Sequence, residues 1–472
     1  MTLSGCVSGA ALEDSVLGRG KIAPPNGNAA SALSVPDFLR TLFRLLDELD
    51  VRYCVLHSWK LLPDKLPSDL DLAIHPLDKV KVPIIFEALK RRGYVPIQWG
   101  NYLTNAHSFY FIWETDSSMK KADVDIIFDH RRSGLILATG EELVRGRVRH
   151  REFWVPSPEV EFAYLLAKKT WKGTASPSQS LRLADLVQQL GHVEAERIAA
   201  QIFQGRWKKR VIEICAKGAI DKELNRARRQ FWRSGLSRHP LRMIRYLTEE
   251  CRRGVRRTIH PTGILVSVLG PDGVGKSTLI ESLPDALGAS FRRRRVFHWR
   301  PQTFARRRNN RPVTDPHGQV PRGTLISMTY LFAFFIDYWI GYFFLIRPLL
   351  VRSSIVLFDR YFHDVLVDPL RYRYGGPKWF AACLCRLLPE PDLVILLDAN
   401  EDLILARKTE LPRAEIQRQR EAYRKLRFKR AQEVYARTDV GIEPTVLACA
   451  TAVAEFMKQR FSERIGDWMS VA

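Results

Sequence analysis

The chain has 472 residues, of which 46% are hydrophobic, and its formal net charge at pH 7 is +23. This length predicts two or three domains rather than one, and the apolar content suffices for sizeable cores. The charge favours polyanionic partners, namely nucleotides, nucleic acid or an anionic membrane face, although heavy arginine use alone is an alternative explanation. The seven cysteines are scattered along the sequence, and neither a second close pair nor a cluster of histidines completes a zinc site. We therefore expect reduced thiols and a cytoplasmic protein.

The N-terminal segment predicts no folded structure. Residues 1–35 are rich in Gly, Ser, Ala, Pro and Asn, and they contain no basic start followed by an apolar core. Such a composition is typical of a disordered lead and not of a secretory signal.

Alternating helical and strand-like patterns predict a small α/β domain over residues 36–150. Two of its predicted strands carry Asp69 with Asp71 and Asp123 with Asp125, a spacing that brings both carboxylates of a pair to one face. Carboxylates on adjacent strands can hold the Mg²⁺ ions that activate a hydroxyl and steady a leaving pyrophosphate. The candidate metal ligands are Asp69, Asp71 and Asp125, with an ordinary acidic surface as the alternative.

With these motifs, residues 36–190 resemble the nucleotidyltransferase superfamily. The resemblance implies a nucleotidyltransferase-like fold, in which Lys168 or Lys172 meets a triphosphate. That family has a Gly-Ser turn before the aspartates, whereas this chain has His57-Ser58 and lacks the glycine that lets the backbone approach phosphate. The domain therefore either works with a variant turn or binds without catalysing.

Helical patterns fill the stretch between the two α/β regions. "PEVEFAYLLAKKTWKG" and "LRLADLVQQL" have helical periodicity, and Arg206–Arg257 is helical and crowded with arginine. Residues 151–258 are thus predicted to form a helical, arginine-rich accessory region that connects the domains.

A second α/β domain is predicted over residues 259–472, and it opens with a phosphate-binding motif. The strand "TGILVSVLG" runs into "GPDGVGKST", which fits G-x-x-x-x-G-K-[ST] and precedes a helical pattern. In such a loop the backbone N–H groups surround phosphates, Lys276 adds positive charge and Ser277 can ligate Mg²⁺. The predicted ATP-binding residues are Gly270, Gly273, Gly275, Lys276, Ser277 and Thr278.

Two later strands end in acidic residues. "SSIVLFDRY" ends at Asp359 and Arg360 before a tyrosine, and "PDLVILLDAN" reaches Asp398. The carboxyl ends of strands in a doubly wound parallel sheet line one crevice, so we expect both aspartates near the phosphates and Arg360 facing an acceptor. Strand-end capping explains each residue alone, whereas the combination with the phosphate loop favours a site.

This order of motifs resembles thymidylate kinase and its relatives over residues 263–428. The resemblance is carried by "GPDGVGKST", "HWRP", "IRPLLVRSSIVLFDRY" and "PDLVILLDANEDLILARK". It implies a P-loop fold with a doubly wound parallel sheet, ATP and Mg²⁺ as cofactors, and phosphoryl transfer to a phosphorylated acceptor. It also implies that Asp272 contacts the acceptor's sugar and that Arg300 and Arg360 hold its phosphate. Related kinases are often dimers, so a homodimer is expected.

The acceptor half departs from that family. "FHDVLVDPLRYRYGG" replaces a segment of small residues and Ala-Tyr-Gln, Tyr338 stands in place of an arginine, and no Glu-Pro-Gly-Gly follows Arg300. The acceptor is therefore either a nucleoside monophosphate or another phosphorylated small molecule, such as a sugar phosphate.

The interior of the phosphate loop contains no arginine for the moving phosphoryl group, so positive charge must come from elsewhere. "ARKTELPRAEIQRQREAYRKL" lies where the family has its mobile lid, and it offers Arg407, Lys408 and Arg413, with a solvated basic helix face as the alternative. The predicted catalytic residues are Lys276, Asp359, Arg360, Arg407 and Arg413, and the predicted metal ligands of this domain are Ser277 and Asp398.

One apolar run, residues 325–346, is long enough to cross a bilayer. Asp337 near its middle is costly in lipid. In the thymidylate kinase family a helix aspartate precedes Arg-Pro, as Asp337 precedes Arg347 and Pro348 here. We therefore expect a buried or acceptor-facing helix, with membrane contact as the alternative because of its aromatic density.

Three functions stay open. The first is an ATP-dependent kinase with an attached nucleotidyltransferase-like domain. The second is nucleotidyl transfer, with the kinase half regulating it or supplying its substrate. The third is a non-catalytic nucleotide-binding protein that docks on a polyanion through "FRRRRVFHWR" and the arginine-rich connector, which lack the aromatic interleaving of a single-strand binder.

Overall fold

The structure is a computed structural model that describes residues 33–471 apart from 104–105, 116–118, 133–134, 219, 239, 288–289, 292, 304–319 and 409–411. The predicted disordered lead lies outside the described residues up to position 32, and Ser34 and Val35 already cap and begin the first helix. Much of the segment after Arg300, where the family pattern is lost, also lies outside them.

A mixed sheet with covering helices forms the N-terminal half. Its elements are α1 (Val35–Glu48), β1 (Tyr53–Val55), β2 (Leu70–Ile74), α2 (Val82–Arg91), β3 (Val95–Leu103), β4 (Ala106–Glu114), β5 (Met119–Ile127), β6 (His130–Arg132), β7 (Leu135–Ala138), α3 (Gly140–Val144), β8 (Val148–His150) and β9 (Phe153–Val155). The sheet order is β1-β2-β5-β4-β3, in which only β2 and β5 run parallel. This parallel pair sets Asp71 directly opposite Asp125.

Helices follow over the middle of the chain. They are α4 (Pro158–Lys172), α5 (Pro177–Leu190), α6 (His192–Ile202), α7 (Trp207–Ala216), α8 (Ile220–Arg238) and α9 (Pro240–Ile259). Helices α4 to α8 bury their apolar faces in a core of their own, which includes Phe162, Leu183 and Phe231. None of the described side chains of α9 belongs to that core, and apolar residues of this helix are exposed, Leu241 among them.

The C-terminal half is built on a five-stranded parallel sheet, which confirms the predicted parallel α/β fold. Its elements are β10 (Ile264–Leu269), α10 (Lys276–Ala286), β11 (Arg293–His298), α11 (Thr324–Gly341) with a π turn (Tyr342–Ile346), α12 (Arg347–Val351), β12 (Ser354–Asp359), α13 (Asp364–Val367), α14 (Lys378–Leu387), β13 (Leu393–Asp398), α15 (Glu401–Arg407), α16 (Arg413–Lys425), β14 (Gln432–Arg437) and α17 (Ile442–Val471). The order β11-β12-β10-β13-β14 buries the central strands on both faces, which explains their continuous apolar runs.

Helix α17 joins the two sheets. Its residue Val453 shares one core with Leu283 of α10 and with Ile112 of the N-terminal sheet. The Arg460 guanidinium of α17 donates to the carbonyl of Gly263 at 2.8 Å. Residues 34–472 accordingly form one compact unit.

The apolar run predicted as a buried or acceptor-facing helix is only partly buried. Among the described residues, the stretch Thr324–Val351 is long and apolar enough to cross a membrane by length and composition, and 28% of its most apolar window is buried. Leu331 and Tyr338 pack in the core of the C-terminal half, whereas Leu325 and Phe344 are exposed. The prediction of a buried helix therefore holds only for the face that packs against this core.

A buried histidine in this core predicts a loss of stability in acid. His363 stacks against Tyr361 and Phe428, and burial lowers its pKa to about 4, partly opposed by Glu390. The unfolded chain binds this proton with an ordinary pKa of about 6.5, so the stabilising contribution is complete above pH 6.5 and is lost as the pH falls toward 4. We expect this group to remove about 3 kcal/mol of unfolding free energy over that window.

Urea unfolding at pH 7 and pH 4.5 measures this loss. The variant His363→Phe keeps the ring contacts without the proton, so its unfolding free energy should fall less on acidification than that of the wild type. An equal fall in both proteins would show that His363 does not contribute.

Candidate functional site

The phosphate loop adopts a backbone that its glycines make accessible. Gly270, Gly273 and Gly275 have φ values of 149°, 81° and 103°, which side chains other than glycine rarely tolerate. A Cβ on Gly270 would lie 2.6 Å from the carbonyl oxygen of Leu397. The strand β10 can therefore turn sharply into α10, whose N-terminus opens on the cleft.

A cleft of about 510 Å³ lies over this loop. It is lined by five of the six predicted ATP-binding residues, whereas Gly270 is buried and does not line it. The charged or ionisable side chains that line it are Asp272, Lys276, His298, Asp359, Arg360, Arg371, Arg407 and Lys408. The excess of cations over carboxylates suits a polyanionic ligand.

Lys276 is buried at the base of the cleft. Its ammonium donates to the carbonyls of Gly270 at 3.0 Å and Pro271 at 2.7 Å, and it lies 3.5 Å from the carboxylate of Asp272. Burial, together with the positive charge of Arg360, lowers the pKa of Lys276 to about 8. A phosphate oxygen at this position would favour the charged ammonium.

Asp272 lies between two arginines. Its two oxygens accept from Arg360 and Arg371, each at 2.5 Å. Burial alone would raise the pKa of Asp272, but the charges of Arg360, Lys276 and Arg371 hold it well below the usual range. The carboxylate is therefore ionised, and its charge is already compensated by the protein.

Arg360 is the most enclosed charge of the site, with 2% of its surface exposed. Its guanidinium also donates to Asp364 at 2.5 Å and to the hydroxyl of Tyr423 at 3.3 Å. With φ at 69°, its backbone lies in the left-handed region. Arg360 thus links the phosphate loop to α13 and α16.

Asp359 and His298 meet at the ends of neighbouring strands β12 and β11. The Nδ1 atom of His298 lies 3.1 Å from Oδ2 of Asp359. The other oxygen, Oδ1, is buried and has no hydrogen-bond partner among the described residues. Ser277 lines the same cleft, so a hydroxyl and a free carboxylate oxygen border one space.

The structure is at odds with a magnesium-ligand role for Asp398. Its carboxylate accepts from Arg420 at 2.6 and 3.2 Å and also from Arg424, and it does not line the cleft. Because α16 supplies these two arginines, both oxygens already bind cations.

The three residues predicted to lie in the lid differ in their position relative to the cleft. Arg407 lines the cleft, and its Nη1 atom lies 3.9 Å from the position of a Cβ on Gly275. Lys408 lines the cleft too, with Nζ 3.9 Å from Asp272. Arg413 is instead paired with Glu401 and Asp402 outside the cleft, so the predicted catalytic role does not fit its position.

Arg300 lies beside the cleft rather than in its lining. Its guanidinium is 3.5 Å from the carboxylate of Asp337 and 4.7 Å from the ring centre of Phe334. Asp337 also accepts from the backbone N–H groups of Gln302 and Thr303. The buried aspartate of α11 therefore fixes the loop that carries Arg300, which explains a charge inside an apolar helix.

The N-terminal aspartates form a separate cluster. Ligand atoms of Asp69, Asp71 and Asp125 all lie within 4.8 Å of one another. Asp69 and Asp125 line a cleft of about 480 Å³, together with Asp123. Burial, followed by the charge of Asp71, raises the pKa of Asp125 to about 7. The cluster thus concentrates negative charge beside an open space.

Asp71 is the enclosed member of this cluster. Its oxygens lie 2.7 Å from Nζ of Lys168, 3.1 Å from the hydroxyl of Tyr164 and 2.8 Å from Nε2 of His57. His57, in the turn that precedes these aspartates, is thus a partner of Asp71. The partners of Asp71 leave Asp69 and Asp125 as the carboxylates open to a cation.

Several residues that line the cleft were missed by sequence reasoning, among them His298, Arg371 and Thr438. His298 stands in the quoted motif "HWRP" but carries no separate signal. Arg371 lies in "FHDVLVDPLRYRYGG", where the chain departs from the family pattern. The wealth of arginine and tyrosine in that segment was the available signal.

Residues 268–446 match the family model of thymidylate kinase. No curated protein matches the chain. Among solved structures, thymidylate kinase from Candida albicans is 18% identical and matches over 42% of this chain and 93% of its own, with a TM-score of 0.30. Thymidylate kinase from Ehrlichia chaffeensis is 16% identical over 41% of this chain and 99% of its own, with a TM-score of 0.28. The family model identifies residues 268–446 as a thymidylate kinase domain.

Proposed function

We propose that this chain is an ATP- and Mg²⁺-dependent kinase that phosphorylates a nucleoside monophosphate or another phosphorylated small molecule. The observation that carries the proposal is a single cleft that is lined by the phosphate loop with Asp272 and also by Arg371 and Lys408. A triphosphate on the loop and an anionic acceptor would meet across this cleft. The thymidylate kinase domain supports nucleotide-kinase chemistry in general. The identity of the acceptor as a phosphorylated small molecule is our proposal.

The residues of the cleft fit the roles that phosphoryl transfer requires. Negative charge spreads over the oxygens of the moving group, and fixed cations stabilise it. Lys276 and Arg407 border the loop and would supply this charge from two sides. Asp272 has its charge compensated by Arg360 and Arg371, so it suits hydrogen bonding to a neutral hydroxyl of the acceptor.

The oxygens near the loop also fit Mg²⁺, which prefers oxygen ligands. Ser277 and Asp359 would hold it, since Oδ1 of Asp359 is buried and unpartnered among the described residues. A bound Mg²⁺ would neutralise charge on the phosphates. His298 would keep the second oxygen of Asp359 in place through its 3.1 Å contact.

Replacing Arg300 by methionine tests the acceptor side. A lost charge-assisted hydrogen bond of about 1.5–3 kcal/mol would raise the KM for the acceptor about 10- to 100-fold. The KM for ATP should stay unchanged, because Arg300 does not line the phosphate loop. Steady-state kinetics with each substrate varied in turn separate the two constants.

Arg352→Met is the matched control, since Arg352 is exposed in the same domain. Unchanged acceptor KM in Arg300→Met, or an equal rise in the KM for ATP, would remove Arg300 from the acceptor site.

A second function, nucleotidyl transfer by the N-terminal half, is favoured by one observation. Asp69 and Asp125 approach each other beside an open cleft, and Lys168 lies buried behind them against Asp71. Two carboxylates open to Mg²⁺ suit activation of a hydroxyl and departure of pyrophosphate. This arrangement is the basis for proposing a nucleotidyltransferase-like role beside the kinase.

The double variant Asp69→Asn, Asp125→Asn tests this second function. It should lower Mg²⁺-dependent pyrophosphate release from nucleoside triphosphates by about 10² or more, because the cation loses both open carboxylates. Asp64→Asn is the control, since Asp64 is exposed and paired with Arg40. Pyrophosphate release that persists in the double variant would exclude catalysis at this cluster.

A further inference from the structure

Helix α11 and its continuation carry an apolar face that nothing in the described chain covers. Four residues spaced seven, four and seven positions apart share this face and define the apolar stripe: Leu325, Phe332, Ile336 and Phe343. Leu325 is 79% exposed and Phe343 is 55% exposed. At 1.5 Å per residue the apolar stripe is about 27 Å long. Exposed apolar side chains spread over this length indicate an interaction site.

The other face of the same helix is fixed in the kinase domain. Leu331, Tyr338 and Leu350 belong to the kinase core. Asp337 accepts from the backbone of Thr303 at 2.7 Å. Insertion across a bilayer would dismantle this core and bury the Asp337 charge in lipid. The apolar stripe can therefore lie on an apolar phase while its helix stays in the domain.

Helix α9 also leaves apolar side chains uncovered. Its apolar residues Leu241, Ile244, Leu247, Val255 and Ile259 are exposed. Its arginines Arg253, Arg256 and Arg257 are turned toward the protein, where Arg257 donates to the carbonyl of Val351 at 2.6 Å. So many exposed apolar side chains on one helix indicate a surface that is covered during function.

The two helices are joined at one point. The guanidinium of Arg347 donates to the carbonyls of Thr258 and Ile259, both at 2.8 Å. The end of α9 therefore abuts the end of the helix that carries the apolar stripe. Exposed arginines lie on α9 itself, namely Arg245 and Arg252, and directly after α12, namely Arg352.

We propose that the apolar stripe and helix α9 dock this protein on an anionic lipid bilayer surface. Apolar side chains would enter the headgroup region, and the flanking arginines would contact anionic headgroups. The charge pattern favours lipid over a second copy of the chain. Each copy carries a net charge of +23 and would bring like-charged arginines together, whereas an anionic leaflet complements them. This proposal does not depend on the kinase activity.

Flotation of the purified full-length chain with lipid vesicles tests the proposal. Vesicles of phosphatidylcholine alone are compared with vesicles containing about 30% phosphatidylglycerol, a share that gives a strongly negative surface. We expect the wild type to float with the anionic vesicles and to be released from them at high salt. In Phe332→Gln, Phe343→Gln the partition coefficient should fall about tenfold, because two half-exposed rings no longer enter the interface.

A matched control changes two exposed apolar residues that belong neither to the apolar stripe nor to helix α9. Leu77→Gln, Val193→Gln should bind vesicles like the wild type, since Leu77 lies on a short helical turn before α2 and Val193 lies on α6. Failure of the wild type to bind anionic vesicles, or equal binding by the Phe332, Phe343 variant, would overturn the proposal. A third contradicting outcome combines two results: the wild type is a dimer in sedimentation velocity and binds no vesicles, and the Phe332, Phe343 variant is a monomer. The stripe would then be a self-association interface.

Discussion

Replacing Lys276 by methionine is expected to lower kcat for phosphoryl transfer by about 10²–10³, equivalent to about 2.7–4 kcal/mol of transition-state stabilisation. The ammonium is buried at the base of the cleft and bonded to the carbonyls of Gly270 and Pro271. A fixed cation in such a water-poor site stabilises charge on the transferred group far more than it would in water. Methionine fills a similar volume without the charge, so the fold should remain.

The measurement is kcat at saturating ATP and acceptor, with the unfolding free energy determined on the same samples. Lys425→Met serves as the control, because Lys425 is exposed at the end of α16. We expect the control to retain wild-type kcat. A Lys276→Met enzyme within a few-fold of the wild-type kcat would contradict the role given to the phosphate loop.

Replacing Arg360 by methionine is expected to lower the free energy of unfolding by about 3–5 kcal/mol. Arg360 is buried between Asp272 and Asp364, and Asp364 is itself completely buried. Removing the guanidinium leaves the Asp364 carboxylate without a compensating charge in a region that excludes water. The loss should exceed that caused by an exposed ion pair several-fold, since exposed pairs contribute about 0–1 kcal/mol.

Urea denaturation of Arg360→Met beside Arg418→Met measures this difference. Arg418 is half-exposed and pairs with Glu415, so its loss should cost less than about 1 kcal/mol. Adding Asp364→Asn to Arg360→Met should recover part of the stability, because the orphaned charge is removed. A loss below about 1 kcal/mol in Arg360→Met would show that the buried network is not a structural support.

The phosphate loop is the part of the site that the sequence predicts most completely. Its chemistry depends on consecutive residues, in which glycines supply the left-handed turns and Lys276 follows them directly. The parallel sheet can be predicted equally well from the sequence, because β10, β12 and β13 are buried on both faces and appear as short apolar runs. Strands β3 and β4 have no such clear signal: β4 is buried almost throughout without alternation.

Contacts between segments that are distant in the sequence cannot be predicted from local sequence patterns. Asp398 ends its strand as expected, but Arg420 and Arg424 of α16 reach it after an intervening loop and helix. Arg371 reaches Asp272 from a segment without a family counterpart. Hydropathy predicts burial of α11, whereas the sheet has room for one of its faces only. Such outcomes depend on how elements pack rather than on their own sequence.

The most direct test of the proposed kinase is transfer of label from ATP carrying a labelled γ-phosphate to a panel of thymidylate, other nucleoside monophosphates and sugar phosphates, with and without Mg²⁺. We expect one class of acceptor to gain the label in the presence of Mg²⁺, and the product to disappear in Lys276→Met but not in Lys425→Met. Label found only in inorganic phosphate, or no Mg²⁺-dependent turnover with any acceptor of the panel, would contradict the proposal that this cleft transfers a phosphoryl group to a phosphorylated small molecule.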